Sequence, residues 1–254
     1  GFVRGIGNEY HSTGINPFFS HERYHAAHDL IVQAWTKPCP FSFEGEHFNN
    51  RYVNLWPRPY QSPHPEIWIP SMGSSETVKW AAAPERKYPF LVTFSARDLI
   101  ARYLNAYRDQ ARAYGYEASP NQVGFASPVY VADTDERARK EAAAGIETLF
   151  NDFLATPFQM LLPPGYSALQ SMKNTMRMRK ALGATKRHTI DELMATGTVV
   201  VGSPKTVRDH LSRLRDDTQA GKLITMLQFG TLSDELTKRN MEMFASEVMP
   251  HLRD

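Results

Sequence analysis

Pro65-Glu66-Ile67-Trp68-Ile69-Pro70-Ser71-Met72-Gly73-Ser74-Ser75-Glu76-Thr77-Val78-Lys79-Trp80-Ala81-Ala82-Ala83 is the stretch that decides the fold. A short apolar run from Glu66 to Pro70 reaches the small residues Gly73-Ser74-Ser75, after which Thr77 to Ala83 reads as helix. Strand, tight turn and helix in that order form the unit of a parallel sheet covered by helices. The unit recurs outward. Pro89-Phe90-Leu91-Val92-Thr93-Phe94 is followed by Ser95, a predicted cap for a helix in which Leu99, Tyr103 and Tyr107 share a face with Ile100, Leu104 and Ala111 beside them, until Gly115. Val123 to Ala132 is rich in β formers, and Asp133 with Glu136 predicts a helix start leading through Ala138, Ala142, Leu149 and Phe153 to Pro157. Ser203-Pro204 opens a helix through Val207, Leu211 and Leu214, with Pro where its missing N–H costs nothing. Leu223 to Phe229 reads as a buried strand, and Ser233 caps a last helix carrying Leu236, Met243, Phe244 and Val248. The pattern fits either a β/α barrel or an open doubly wound sheet.

Residues 157–197 break this rhythm and read as an insertion, from Leu161-Leu162-Pro163-Pro164-Gly165-Tyr166 to a short helix capped by Thr189 and Glu192. No acid lies between Asp152 and Asp191, whereas Lys173, Arg177, Arg179, Lys180, Lys186 and Arg187 do, so this stretch carries +6 and the rest of the chain −4. It reads as a solvated face or as a lid facing an anion. Met160, Met172, Met176 and Met178 serve either as core or as an adaptable apolar wall.

With 254 residues, 42% of them hydrophobic, the chain suits one large or two small globular domains. A net charge of +2 gives no excess to track a phosphate backbone, so nucleic-acid binding has no support. No apolar run approaches the roughly 20 residues of a membrane span. The opening Gly1-Phe2-Val3-Arg4-Gly5 lacks the pattern of a secretory signal, and the one cysteine, Cys39, excludes an internal disulfide framework. A cytoplasmic location is expected.

His21-Glu22-Arg23-Tyr24-His25 is a literal HExxH at a helix start capped by Ser20, the arrangement of a zinc peptidase with two imidazole ligands and a glutamate base. His28 extends that face, yet no third ligand is specified, and satisfied histidines on a helix surface are the plainer reading; no metal is expected. Gly73-Ser74-Ser75-Glu76-Thr77 is a natural anion site, because first-turn N–H groups and hydroxyls face whatever sits at the helix start. A tight turn also needs small residues. Arg4 and Arg23 are candidates for the cationic half of a phosphate clamp. Arg4-Gly5-Ile6-Gly7-Asn8-Glu9-Tyr10 has too few glycines for a dinucleotide fingerprint, and Gly202-Ser203-Pro204 lacks the lysine of a P-loop.

These residues together resemble the bacterial-luciferase-like flavin monooxygenases. Arg4-Gly5 with Asn8-Glu9-Tyr10 and Gly14 is similar to the segment after that family's fourth barrel strand. Pro65 to Ile69, leading through Ser74 and Thr77 to Trp80-Ala81-Ala82, is similar to its fifth strand and phosphate turn, and Val129 to Asp135 to its seventh strand and following helix. Gly202-Ser203-Pro204 with Val207, and the ending Phe244 to Leu252, resemble its closing elements.

The resemblance implies a TIM-type (β/α)8 barrel over residues 1–254, with its site at the C-terminal ends of the strands. It implies that Arg4, Arg23, Ser74 and Thr77, with Gly73 and Ser75 N–H groups, surround the phosphate of reduced FMN. Residues 157–197 then form the insertion before the last β/α unit, enclosing the flavin with Tyr166 and keeping water out. The implied reaction uses O2 and FMN reduced by a separate flavin reductase to oxidise a small organic substrate. Val3 stands where luciferase carries a reactive cysteine, and the catalytic residue is unknown. Four clear strands follow Arg4, so the expectation is a truncated barrel, the C-terminal portion of a longer protein, completed by an N-terminal fragment or by homo-oligomerisation. A deazaflavin-dependent oxidoreductase of the same fold, a zinc hydrolase using His21, Glu22 and His25, and an inactive flavin-binding fragment are the alternatives.

Overall fold

A computed structural model describes residues 1–167, 169, 172, 173, 176 and 187–252. Contacts divide the chain into a first unit, Gly1–Trp68 with Thr156–Leu182, and a second, Ile69–Ala155 with Gly183–Asp254.

The first unit is built on two helices, α1 (Gly7–Ser12) and α2 (Ser20–Thr36), and an antiparallel hairpin, β1 (Phe41–Glu44) and β2 (Asn49–Val53). The Glu9 carboxylate accepts from the Ile6 N–H at 2.7 Å and so satisfies a donor that the start of α1 leaves without a carbonyl. Arg58 closes the other end of α2, donating to the carbonyls of Lys37 at 2.7 Å and Trp35 at 3.1 Å, where a cation also suits the helix dipole. Gly7 lies so close to the helical turn Phe158–Leu161 that an added Cβ would come within 2.3 Å of the Met160 carbonyl oxygen. The start of the 157–197 segment is thereby packed against the N-terminal residues.

The second unit repeats strand and helix: β3 (Ile69–Ser71), α3 (Ser75–Ala82), β4 (Phe90–Thr93), α4 (Arg97–Ala113), β5 (Val123–Val131), α5 (Asp135–Thr148), α6 (Ile190–Ala195), β6 (Val200–Gly202), α7 (Pro204–Thr218), β7 (Lys222–Met226) and α8 (Asp234–Met243). All pairings in this sheet are parallel. β5 is its spine and is buried throughout. Its first half pairs with both β4 and β7, Ala126 opposing Thr93 and Ile224, while Val129–Val131 pair with β6. A fully buried strand needs no polar alternation, which is why Val123 to Ala132 reads as a continuous β-forming run. Where β5 changes partners, buried Asn240 of α8 completes the hydrogen bonding. Its amide donates to the Val129 and Leu227 carbonyls and its oxygen accepts from the Val131 N–H, each at 2.8 Å.

Several local expectations are corrected. The Ser95 hydroxyl donates back to the Thr93 carbonyl at 2.9 Å, so the residue before α4 is Ala96. Ile100, Leu104, Tyr107 and Ala111 form the buried stripe of α4, with Leu99 and Tyr103 only partly covered. Thr134, not Asp133, caps α5 by accepting from the Arg137 N–H, and Asp133 pairs with the Arg137 side chain instead. Phe153 is exposed, since a π-helical turn follows α5 and rotates it off the core face. Ser20 is not a cap. It is the buried first residue of α2, and Phe19 precedes it. Residues 223–229 do not form a buried strand, because β7 ends at Met226 and Ile224 is 44% exposed. β6 is too short to show a period, and the hairpin is too polar and exposed to read as strand. Thr189 with Glu192, Ser203 and Ser233 cap their helices as expected. Of the basic stretch, Arg177, Arg179, Lys180 and Lys186, with Met178, lie outside the described residues.

Candidate functional site

Beyond β3 the chain must turn sharply to start α3, and Gly73 makes this possible with φ +83°, a conformation L side chains rarely adopt. Its N–H donates to the Ser71 hydroxyl at 3.1 Å. The Tyr103 ring of α4 lies against its other side, where an added Cβ would come within 2.2 Å. Ser74 caps α3: its hydroxyl accepts from the Thr77 N–H at 3.2 Å and donates to the Thr77 hydroxyl at 2.7 Å. The Ser75 hydroxyl donates to the Glu76 carboxylate at 3.2 Å. First-turn N–H groups have no carbonyl one turn back, and the helix dipole places partial positive charge there. Gly73, Ser74, Ser75 and Thr77 are thus brought into a single turn at the C-terminal end of a parallel strand. The Thr77 hydroxyl and the N–H groups of the helix start form a donor set that suits a phosphate, while the Ser74 and Ser75 hydroxyls donate within the turn.

Arg4 and Arg23 lie in the first unit. Arg23 packs its guanidinium over the Phe48 ring, 5.3 Å from the centroid, and makes no hydrogen bond or ion pair among the described residues. Arg4 stacks on the Tyr166 ring, 3.8 Å from the centroid, and donates to the Tyr166 carbonyl and the Ser20 hydroxyl. Both arginines act on Tyr10. Burial raises the Tyr10 phenol, Tyr166 adds to that, and the charges of Arg4 and then Arg23 pull it back down. The hydroxyl of Tyr10 itself donates to the Arg4 carbonyl.

His21 and His25 lie one turn apart on α2, their ring centroids 6.4 Å from one another. His28 is buried, with its ring nitrogen 3.0 Å from Asp29 and its ring in a T-shaped contact with Phe2, centroids 5.7 Å apart. Among the described residues, no group of three or more His, Cys, Asp or Glu is arranged to hold a metal ion.

Tyr103 and Phe48, which back Gly73 and Arg23, escape a sequence reading. Tyr103 carries only the helical spacing that any core residue shows, and Phe48 lies in a polar segment. Tyr10 stands out only as part of the Asn8-Glu9-Tyr10 motif.

A family model described as luciferase-like monooxygenase matches residues 2–219. The FMNH2-dependent dimethylsulfone monooxygenase of Pseudomonas putida is 30% identical over 135 residues, 52% of this chain and 35% of that protein. Among solved structures, the monooxygenase RslO1 from Streptomyces bottropensis superposes with a TM-score of 0.69 at 19% identity, covering 99% of this chain and 68% of that one. An F420-dependent secondary alcohol dehydrogenase superposes with a TM-score of 0.65 at 16% identity, over 99% of this chain and 68% of that one. The chain spans between 35% and 63% of the length of the curated relatives it matches.

Proposed function

The chain belongs to the luciferase-like monooxygenase family, whose fold is the TIM-type barrel, and from that premise we propose that it serves an FMN-dependent monooxygenase oxidising a small organic substrate. The observation that carries this reading is the turn from Gly73 to Thr77, with its hydroxyls and helix start at the C-terminal end of β3, where barrel enzymes keep their sites. The FMNH2 dependence of the dimethylsulfone monooxygenase relative supports FMN over a deazaflavin.

In this reading Ser74 and Thr77, with the N–H groups of Gly73 to Ser75, hold the cofactor phosphate. Assigning Arg4 and Arg23 to the same phosphate rests on the family resemblance of their segments. Arg23 supports it by lacking an ionic partner among the described residues. The 157–197 segment keeps water from the flavin. When bound, the flavin, reduced by a separate reductase, supplies the electrons for oxygenation by O2.

Titration of flavin fluorescence tests the assignment. Ser74→Ala and Arg23→Ala should each weaken FMN binding by about 1 to 3 kcal/mol through loss of a charge-assisted contact. Ser74→Ala also removes the cap of α3, so its melting curve is measured alongside. Wild-type affinity in both variants would sink the phosphate assignment, and tight binding of F420 with none of FMN would replace the cofactor.

A further inference from the structure

Tyr166 holds Arg4 at two points and its neighbour Gly5 at a third. Its main-chain carbonyl accepts from Arg4 Nη1, its ring lies under the guanidinium with Cζ 3.8 Å from the centroid, and its hydroxyl donates to the carbonyl of Gly5, the next residue along. The Ser20 hydroxyl accepts from the same Nη1 at 3.3 Å. Both residues of the contact are closely surrounded. Tyr166 is 6% exposed, and Gly165 before it has φ +81° and sits where an added Cβ would come within 2.3 Å of the Phe18 ring. Tyr10, donating to the Arg4 carbonyl, fixes the arginine main chain as well.

These contacts use one nitrogen and one face of the guanidinium. Nε and Nη2, the edge whose parallel N–H bonds match two oxygens of a phosphate, make no hydrogen bond among the described residues. Stacking on an aromatic ring holds a guanidinium in plane and leaves its in-plane donors available. An arginine immobilised beforehand also loses less side-chain freedom when an anion arrives.

We propose that Tyr166 is a positioning residue that presents the Nε–Nη2 edge of Arg4 to the phosphate of the cofactor. The proposal rests on the flavin reading above and adds to it a residue that never touches the phosphate. It predicts that Tyr166 matters to FMN and not to riboflavin, which has the same ring system without the phosphate.

The test measures dissociation constants for both flavins by fluorescence titration in the wild type, Arg4→Ala, Tyr166→Leu, Tyr166→Phe and the Arg4→Ala/Tyr166→Leu double variant, with circular dichroism to confirm folding. Arg4→Ala should weaken FMN binding about tenfold or more and leave riboflavin unchanged. Tyr166→Leu should weaken FMN by about fivefold, again without effect on riboflavin, and should cost nothing further once Arg4 is Ala. Tyr166→Phe keeps the ring and the carbonyl and loses the tie to Gly5 with the phenol's own contact to Arg4, so a selective loss of about threefold is expected. If Tyr166→Leu does not fold, Tyr166→Phe decides: a selective loss supports the role and unchanged FMN affinity overturns it. Equal weakening of FMN and riboflavin by Tyr166→Leu would mean a merely structural residue and overturn the proposal. A selective effect of Arg4→Ala with none from Tyr166→Leu would overturn it while leaving the phosphate reading intact. No selectivity in Arg4→Ala would take away both.

Discussion

Glu141 on α5 accepts from the Tyr130 hydroxyl at 2.8 Å, from Arg137 Nε at 2.9 Å and from Arg239. Burial alone would raise its carboxyl, but the hydrogen bonds from Arg239, Arg137 and Tyr130 together outweigh burial and hold it at about 2. A carboxyl lowered on folding contributes stability that is complete above its unfolded value, ordinarily 4.5, and that is lost as pH falls towards 2. Denaturant unfolding at a series of pH values should therefore show the wild type losing stability below about pH 4.5 more steeply than Glu141→Gln; parallel slopes would show that the carboxylate is not linked to folding. At Gly73, positive φ and the Tyr103 ring both oppose a side chain, so Gly73→Ala should cost about 1 to 3 kcal/mol in the same assay. Gly73, Ser74 and Thr77 are legible as a turn and a helix cap, which a glycine and two hydroxyls between a strand and a helix serve by themselves; their reading as an anion site rests on the family resemblance. Nothing local announces the pairing of Glu141 with Arg239 or of Tyr166 with Arg4, since each joins residues far apart along the chain.

At the scale of elements, caps written into a few adjacent residues are legible, as Ser203-Pro204 and Thr189 with Glu192 show. Where the true cap differs from the expected one by a residue, as at Thr134, neighbouring polar side chains compete for the same N–H groups, and tertiary geometry decides between them. The parallel strands with long apolar runs are legible for the same reason that they are buried. β6 is not, because three residues carry no period, and its partner is the far end of β5. Asn240 belongs to this scale too, since it serves strand ends and not a ligand. Asn240→Leu should leave two carbonyls and an N–H buried without partners and lower stability by about 2 to 5 kcal/mol, read from the midpoint of denaturant unfolding. A smaller loss than for an ordinary surface change would mean that water replaces the amide.

For the whole molecule, family membership accounts for what composition leaves open, a β/α barrel in place of a doubly wound sheet. A ligand that binds only the folded state raises stability by mass action, about 2.7 kcal/mol at a hundredfold excess over its dissociation constant. Saturating FMN should accordingly raise the melting temperature, and zinc should not; the opposite result would favour the HExxH reading. Tyr130 opposes Val201, Ala126 opposes both Thr93 and Ile224, and so one strand sets the register of three. Two of those partners, β6 and β7, are synthesised long after β5 and on the far side of the 157–197 segment. On the ribosome, β5 must therefore wait with an apolar edge uncovered, and a pause or a cut within that segment would leave a sticky strand exposed to chaperones and to its own kind.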